Sequence, residues 1–298
     1  MNNDRTGFLA GLSAYSLWGL YPFYFKAIGH VASVEVLGHR ILWSLAMLAL
    51  FLPLTEMRRD VVRVLRTPKL LLGMLFSALI IASNWLVYVI AVQTGHVLEA
   101  SLGYFLSPLT FVLLALLMLG ERLRPYQWLA VTLAAAGVLW MILHGGVVPK
   151  IALFLGISFS IYGLVRKRLP VGPLAGLFLE CLFALPLAGA MLLYADAHGG
   201  IAFTRLDLST DILLMLAGFF TIGPLWLFNV AAKRLPLTTL GMLQYIAPTL
   251  LFFVGVFVFS EPVDLGRLAG FVLIWVALGI YSVDTLRAAR PAPDARLS

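Results

Sequence analysis

The chain has 298 residues, of which 61% are hydrophobic and 12% charged, and its mean hydropathy is +0.98. Soluble proteins are about half apolar and about a quarter charged, so this composition excludes an ordinary soluble globular protein. The net charge of +7 comes from Lys and Arg clusters between apolar runs, which indicates membrane orientation rather than nucleic-acid binding. The single cysteine, Cys181, excludes an intrachain disulfide.

Apolar runs of membrane-crossing length follow one another along the whole chain. A helix needs about 20 such residues to cross roughly 30 Å of hydrocarbon. The sequence therefore predicts an all-α polytopic membrane protein with ten transmembrane helices, separated by proline, glycine and charged residues. In chain order the predicted spans are 7–26, 33–54, 69–93, 98–120, 126–143, 149–165, 173–194, 210–232, 237–260 and 265–284.

Recurring residues indicate a tandem repeat. Pro108 and Glu121 recur 140 positions later as Pro248 and Glu261. Both glutamates are expected to cap span ends or to form salt bridges in loops. Five spans per copy is an odd number, so the second copy is inverted relative to the first, as in many secondary transporters. The predicted organisation is a cytoplasmic N-terminal tail (1–6), two inverted five-helix repeats (7–143 and 149–285) and a disordered cytoplasmic tail (286–298).

The Lys and Arg residues set the predicted orientation. If the N-terminus is cytoplasmic, most of the 21 fall on the cytoplasmic side, as the positive-inside rule requires. Both termini are then cytoplasmic. The run Arg166-Lys167-Arg168 is interpreted as a topology signal that contacts anionic lipid, rather than as a binding site.

Ionisable residues inside predicted spans are the main chemical signal. His39 and Arg40 lie in the second span and Glu180 in the seventh, where an unpaired charge is costly. One interpretation places them at a cavity, holding a charged substrate group or a proton, with Glu180 and then His39 as proton carriers. The other makes Arg40–Glu180 a structural ion pair, and transport without proton coupling is equally open.

Amides and aromatic rings share one side of the third span, where Asn84, Trp85 and Tyr88 have helical spacing, and Asn229 lies in the eighth span. Rings can cover the apolar part of an amphipathic ligand while amides orient its polar groups. These four residues are therefore candidate substrate contacts. The alternative is interhelical hydrogen bonding and anchoring at the membrane interface.

Prolines within spans mark a second candidate region. Pro108 and Pro248 free backbone carbonyls and can bend their helices, so they are predicted hinges. Tyr104, Gln244 and Tyr245 precede them and are the predicted ligand contacts there. The alternative is close packing through neighbouring small residues.

Motifs for other activities are missing from the sequence. It has no Walker A loop, no HExxH and no GxSxG, so neither an enzyme, a metal site nor a cofactor is expected. The expected partners are a small-molecule substrate and the lipid bilayer, without ATP or nucleic acid, and a homodimer is left open. The remaining alternative to a transporter is a non-transport membrane protein such as a channel or scaffold.

Three segments carry a family resemblance: EVLGHR at residues 35–40, EASLGYF at 99–105 and QYIAPT at 244–249. They resemble RarD-type permeases of the EamA branch of the drug/metabolite transporter superfamily, the chloramphenicol-sensitivity protein family. The resemblance implies a bacterial inner (plasma) membrane protein that exports or exchanges a small metabolite, amino acid or drug, by alternating access in the predicted inverted-repeat fold.

Overall fold

The computed structural model describes residues 2–54, 56–94, 96–145, 150–260 and 265–289. Within these ranges the chain is helical apart from short turns and has no strand. The helices are α1 (Asn2–Gly19), α2 (Tyr21–Ala27), α3 (Ser33–Phe51), α4 (Met57–Arg66), α5 (Pro68–Gln93), α6 (Val97–Leu119), α7 (Pro125–Gly145), α8 (Lys150–Arg168), α9 (Pro173–Ala197), α10 (Leu208–Arg234), α11 (Leu237–Gln244), α12 (Ile246–Phe253) and α13 (Leu265–Ala289).

Within the described residues, eight helical segments are long and apolar enough to cross a membrane. They are α3, α5, α6, α7, α9, α10, α13 and the stretch formed by α11, α12 and a following π-helical turn, so the chain is a polytopic membrane protein. Two predicted spans, 7–26 and 149–165, are not among them. The first has many Gly, Ser, Tyr and Trp residues, which lower its mean hydropathy, and α8 has charged residues at both ends. The count of ten spans stays a prediction.

Proline explains where two predicted spans break. Pro22 lies just after the α1–α2 break and Pro248 just after the α11–α12 break. Proline has no N–H to donate four residues back, so the carbonyls of Trp18 and Gln244 lose their helical partners. By contrast, α6 contains Pro108 and remains continuous.

The segments flanking the predicted repeats contain more helix than the sequence indicated. Residues 2–6, expected as a tail, are the first turn of α1. Helix α13 extends to Ala289, so residues 286–289 are helical where a disordered tail was expected, and the remainder of that tail lies outside the described residues.

The short helix α4 was not predicted. Its apolar side buries Met57, Val61 and Val64, while its arginines face outward. Asp60 on α4 accepts a hydrogen bond from the Gly172 amide at 2.8 Å. The helix therefore ties the first half of the chain to the α8–α9 turn in the second half.

Contacts sort the helix ends onto two faces of the bundle. On the face that we call the basic face, Arg124, just before α7, pairs with Asp284 on α13 at 2.6 Å. On what we call the opposite face, His30 contacts the Thr210 hydroxyl at 2.9 Å.

Helices α7 and α13 pack closely against each other. A Cβ on Gly137 would lie 2.8 Å from the carbonyl oxygen of Gly270, so only a glycine fits at this contact.

A buried or half-buried glutamate stabilises chain segments on each face. Glu121 on the basic face accepts hydrogen bonds from the amides of Leu237 at 2.7 Å and Thr238 at 3.0 Å, at the start of α11. Glu35 on the opposite face accepts from the Ala202 amide at 2.8 Å. Carboxylates at these positions satisfy otherwise unpaired N–H groups. The repeat partner of Glu121, Glu261, lies outside the described residues.

Candidate functional site

A cavity of about 250 Å³ lies among helices of both halves, nearer the opposite face. Its volume is close to the lower end of ligand-binding pockets, which span about 300–1,000 Å³. Apolar and aromatic side chains dominate its wall. It is lined by Tyr15, Trp18, Tyr21, Pro22, Phe25, Arg40, Asn84, Trp85, Tyr88, Ala100, Gly103, Tyr104, Ser107, Leu155, Phe159, Leu225, Gln244, Ala247 and Leu251.

Arg40, on α3, is the only charged side chain among these lining residues. Its Nε donates a hydrogen bond to the Thr221 hydroxyl on α10 at 3.0 Å. Its Cζ lies 5.6 Å from the centre of the Trp85 ring on α5, within the range of a cation–π contact. Two helices therefore fix the guanidinium group, and its terminal nitrogens make no hydrogen bond or ion pair within the described residues.

Uncharged polar groups occupy other parts of the wall. The Asn84 amide donates to the Leu155 carbonyl at 3.0 Å and to the Ser158 hydroxyl at 2.9 Å, which joins α5 to α8. The side-chain oxygens of Gln244 and Tyr15 are buried without a hydrogen-bond partner in the described part of the chain.

Aromatic rings from the first predicted span form much of the wall, and this contribution was not anticipated. Tyr15, Trp18 and Phe25 follow helical spacing, which is the signal that could have identified them. Tyr88 and Tyr104 complete this wall, with ring centres 6.5 Å apart in an edge-on arrangement.

Below the cavity, toward the basic face, rings pack into what we call the aromatic floor: Trp18, Phe159, Tyr162 and Phe228. The ring centres of Trp18 and Phe159 are 5.8 Å apart, and those of Phe159 and Phe228 are 5.2 Å apart. Tyr162 stacks on Phe228 at 5.9 Å and 15°. The floor separates the cavity from a buried polar cluster that includes the hydroxyl of Tyr162.

This polar cluster consists of Ser77, Tyr162, Arg166, Glu180 and Asn229, all buried. Glu180 accepts hydrogen bonds from Ser77 at 2.6 Å and from Tyr162 at 3.2 Å, and its carboxylate is 3.5 Å from Arg166 Nε. Arg166 also donates to the Asn229 side-chain oxygen at 2.9 Å. The cluster links four helices: α5, α8, α9 and α10.

Arg166 was misjudged as a lipid-facing topology signal, since its side chain is fully buried. It lies one helical turn after Tyr162, and this i, i+4 spacing was the available indication of a shared inward face. Gly176 on α9 makes room for it, because a Cβ there would lie 2.0 Å from Arg166 Nη1. Glu180 therefore pairs with Arg166, not with Arg40.

Four predicted site residues do not line the cavity. Asn229 and Glu180 belong to the polar cluster, and His39 lies 3.7 Å from Glu35 near the opposite face. Tyr245 is buried in a separate apolar cluster with Phe105. Successive helical residues point about 100° apart, so Gln244 can line the cavity while Tyr245 faces the other way.

The structure brings the other predicted contacts to the cavity. Arg40, Asn84, Trp85, Tyr88, Tyr104 and Gln244 all line it. The hinge candidates Pro108 and Pro248 lie on α6 and α12 without lining it.

Among the described residues, no group of three or more His, Cys, Asp or Glu side chains could hold a metal ion.

Comparisons with known proteins match this architecture. The model of the EamA-like transporter family matches residues 5–143 and 150–283. An uncharacterized transporter of Vibrio cholerae is 44% identical, with 98% of this chain and 97% of the relative covered. Protein RarD of Salmonella typhi is 43% identical, covering 96% of this chain and 97% of its own. The chloramphenicol-sensitive protein RarD of Pseudomonas aeruginosa is 31% identical, covering 97% and 98%.

The fold also has a counterpart among solved structures. One crystal structure, of a protein with 20% sequence identity, matches with a TM-score of 0.73 and covers 96% of this chain and 99% of that chain. At this identity the likeness shows the fold alone.

Apolar helices around an internal cavity, with relatives described as transporters, define a multi-pass membrane protein of the transporter class. The chain belongs to the EamA-like transporter family, and the predicted resemblance to the RarD permeases within it is confirmed. Family and relatives both point to a transporter rather than an enzyme.

Proposed function

We propose that the protein is a secondary transporter of the bacterial inner membrane that exports or exchanges a small amphipathic metabolite, amino acid or drug. It works by alternating access between two inverted five-helix repeats. The observation that carries the proposal is a cavity built from both halves. Arg40, Tyr88 and Tyr104 come from the first half, and Phe159 and Gln244 from the second.

Two-fold symmetry between the halves is supported by how the helices pair, and five spans per half make that relation an inverted one. Contact between α1 and α10 is matched by contact between α8 and α5, the pair obtained by exchanging the halves. Contact between α3 and α10 is likewise matched by contact between α9 and α5. The two stretches that match the family model also coincide with the two halves.

Two packed layers between the cavity and the basic face support a cavity that is closed on that side. The aromatic floor and the polar cluster lie between the cavity and the basic face, where Glu121 and α4 add links between the halves. Since positive residues favour the cytoplasm, the basic face with both termini is cytoplasmic in this proposal. The cavity then faces outward in the present conformation.

Proton coupling through Glu180 or His39 is the less favoured version. Both carboxylate oxygens of Glu180 are engaged by Ser77, Tyr162 and Arg166 away from the cavity, and His39 is beside Glu35. We therefore propose substrate exchange without proton transfer by either residue. Equal exchange rates with and without a pH gradient are expected, and a gradient-dependent rate that Glu180→Gln abolishes would overturn this version.

The test is release of compounds from liposomes that contain the purified protein and a bacterial small-molecule extract, followed by mass spectrometry. We expect saturable release of a few compounds, accelerated when the same compound is present outside. Trp85→Ala should reduce this exchange. Trp128→Ala, a half-exposed tryptophan on α7 away from the cavity, is the matched control and should retain it.

Two outcomes would contradict the proposal. If release does not depend on the protein, the hypothesis of transport is contradicted. Release without acceleration by external compound, accompanied by ion currents, would favour the alternative of a channel, because a continuous pore needs no exchange step.

A further inference from the structure

We propose that the cavity selects a monocarboxylate anion with a flat apolar body, in preference to an amino acid, an amine or an uncharged analogue. This inference rests on the proposed transport function and narrows its substrate class. It follows from the charge of the wall, the fixed geometry of Arg40 and the aromatic rings of the wall.

The first argument is charge. Arg40 is the one ionic side chain on the described cavity wall, and the ion pairs of the described residues leave it without a carboxylate partner. A cation in an apolar cavity within a membrane is costly unless an anion compensates it. A monoanion neutralises the site, whereas a dianion such as a phosphate monoester would leave excess negative charge.

The second argument is geometry. The hydrogen bond from Nε to Thr221 and the contact with Trp85 hold the guanidinium in place, and the Thr221 hydroxyl is itself fixed by its bond to the Ala217 carbonyl at 2.7 Å. The terminal nitrogens remain for a ligand. A guanidinium fork matches a carboxylate through two parallel hydrogen bonds.

The third argument is that the cavity wall has aromatic rings but no acidic side chain among the described residues. No acidic side chain of the described residues lines the cavity, so an ammonium group on an amino acid or amine would have only ring faces and neutral acceptors. Rings such as Tyr88, Tyr104 and Phe159 suit a flat apolar body.

The test uses four compounds with one phenyl group and matched chain length: 3-phenylpropionate, phenylalanine, 3-phenylpropylamine and 3-phenylpropan-1-ol. Binding to the purified protein is measured by ligand-induced thermal stabilisation. We expect 3-phenylpropionate to bind at least tenfold more tightly than the other three. Arg40→Gln should weaken 3-phenylpropionate binding by about 10- to 100-fold and leave 3-phenylpropan-1-ol unchanged.

Two controls separate a lost contact from a damaged fold. Arg59→Gln removes a highly exposed arginine of α4 and should leave all four affinities unchanged. Retained binding of the neutral alcohol shows that the Arg40→Gln cavity is intact. If that variant does not fold, Arg40→Lys, which keeps the charge but loses the planar fork, should still weaken carboxylate binding selectively.

The outcomes distinguish this inference from the proposed function. Stronger binding of phenylalanine or the amine, or an anion preference that survives Arg40→Gln, overturns the inference while transport stands. If none of the four binds, the compounds released from extract-loaded liposomes decide: carboxylate anions support it, and cations, zwitterions or neutral molecules overturn it. If no compound is released at all, the proposed transport function itself is contradicted.

Discussion

At the residue scale, the buried Glu180–Arg166 pair depends on both partners. Glu180→Gln leaves a buried guanidinium without its counter-charge, which typically costs about 3–5 kcal/mol of unfolding free energy. We expect a large drop in the thermal unfolding midpoint in detergent. Glu56→Gln, which breaks an exposed pair with Arg59, is the matched control and should change the midpoint little.

A double variant sharpens this prediction. Removing both charges, with Arg166→Gln added to Glu180→Gln, eliminates the unpaired cation, so part of the lost stability should return. Strictly additive losses would show that the two side chains contribute separately and that the pair is not the source of the effect.

Gly176 provides a second residue-scale prediction. Gly176→Ala places a methyl group 2.0 Å from Arg166 Nη1, so the guanidinium must move and the polar cluster must loosen. Gly189→Ala on the same helix meets no atom within 4 Å and should be neutral or stabilising by up to about 1 kcal/mol. Equal unfolding midpoints for the two variants would contradict the assigned packing.

Residue-scale prediction from sequence was best where spacing alone decides which residues share a face. Asn84, Trp85 and Tyr88 were grouped correctly on one side of α5, and all three line the cavity. The partner of Glu180 could not be predicted from the sequence. The expected depths of Arg40 and Glu180 in the membrane were compatible with a pair, and Arg166 lies in a basic run at a span end that was interpreted as a topology signal. Burial of a charge at the end of a span depends on neighbouring helices that the sequence does not specify.

At the element scale, Asp207 begins α10 as its N-cap. Its carboxylate accepts from the Thr210 amide at 2.9 Å and also from the hydroxyls of Ser209 and Thr210. These hydrogen bonds lower the pKa of Asp207 to about 2, the Ser209 bond contributing most. The lowered pKa means that the stabilisation is complete above the ordinary aspartate pKa of about 3.9 and is lost as pH falls toward 2.

We therefore expect wild type to unfold at a higher temperature than Asp207→Asn from neutral pH down to about pH 5. That advantage should shrink progressively between about pH 4 and pH 2. The check is a pH series of thermal unfolding in detergent. An advantage independent of pH would show that the charge of the cap makes no contribution.

The broken helix α11–α12 provides a further element-scale prediction. Pro248→Ala restores an N–H that can reach the Gln244 carbonyl, so the break at Tyr245 should close and the bend should stiffen. We expect slower substrate exchange in liposomes with little change in thermal stability. Pro186→Ala, inside α9 and away from the cavity lining, is the control. Exchange that is equally fast in both variants would exclude a hinge at Pro248.

The sequence predicted a helix wherever the helix contains a long apolar run. Eight of the ten predicted spans each correspond to one helix, and the first and ninth are each divided into two. Helix α4 was missed because its four arginines give it no apolar run, although one side of it is buried. The breaks after Gly19 and Gln244 required knowing which proline bends its helix. Pro108 and Pro248 occupy repeat-related positions, yet only one lies beside a break.

At the scale of the whole molecule, the predicted repeat describes helix pairing better than it describes chemistry. Trp85 lies at the cavity, whereas Trp226, which recurs 141 positions later, is exposed on the bundle surface. Arg40 has no cationic counterpart on the described wall. A cavity with different chemistry on its two sides suits an asymmetric amphipathic ligand, and only the assembled bundle reveals that asymmetry.

The most direct test of alternating access uses cysteine labelling from the two sides of the membrane. Cys181→Ala removes the single native cysteine, and Leu251→Cys then places one thiol at a half-buried position of the cavity wall. A membrane-impermeant maleimide is applied to right-side-out and inside-out vesicles. We predict labelling from the periplasmic side at rest and from the cytoplasmic side once a transported substrate is added. Labelling from one side only, whatever the substrate conditions, would contradict the account.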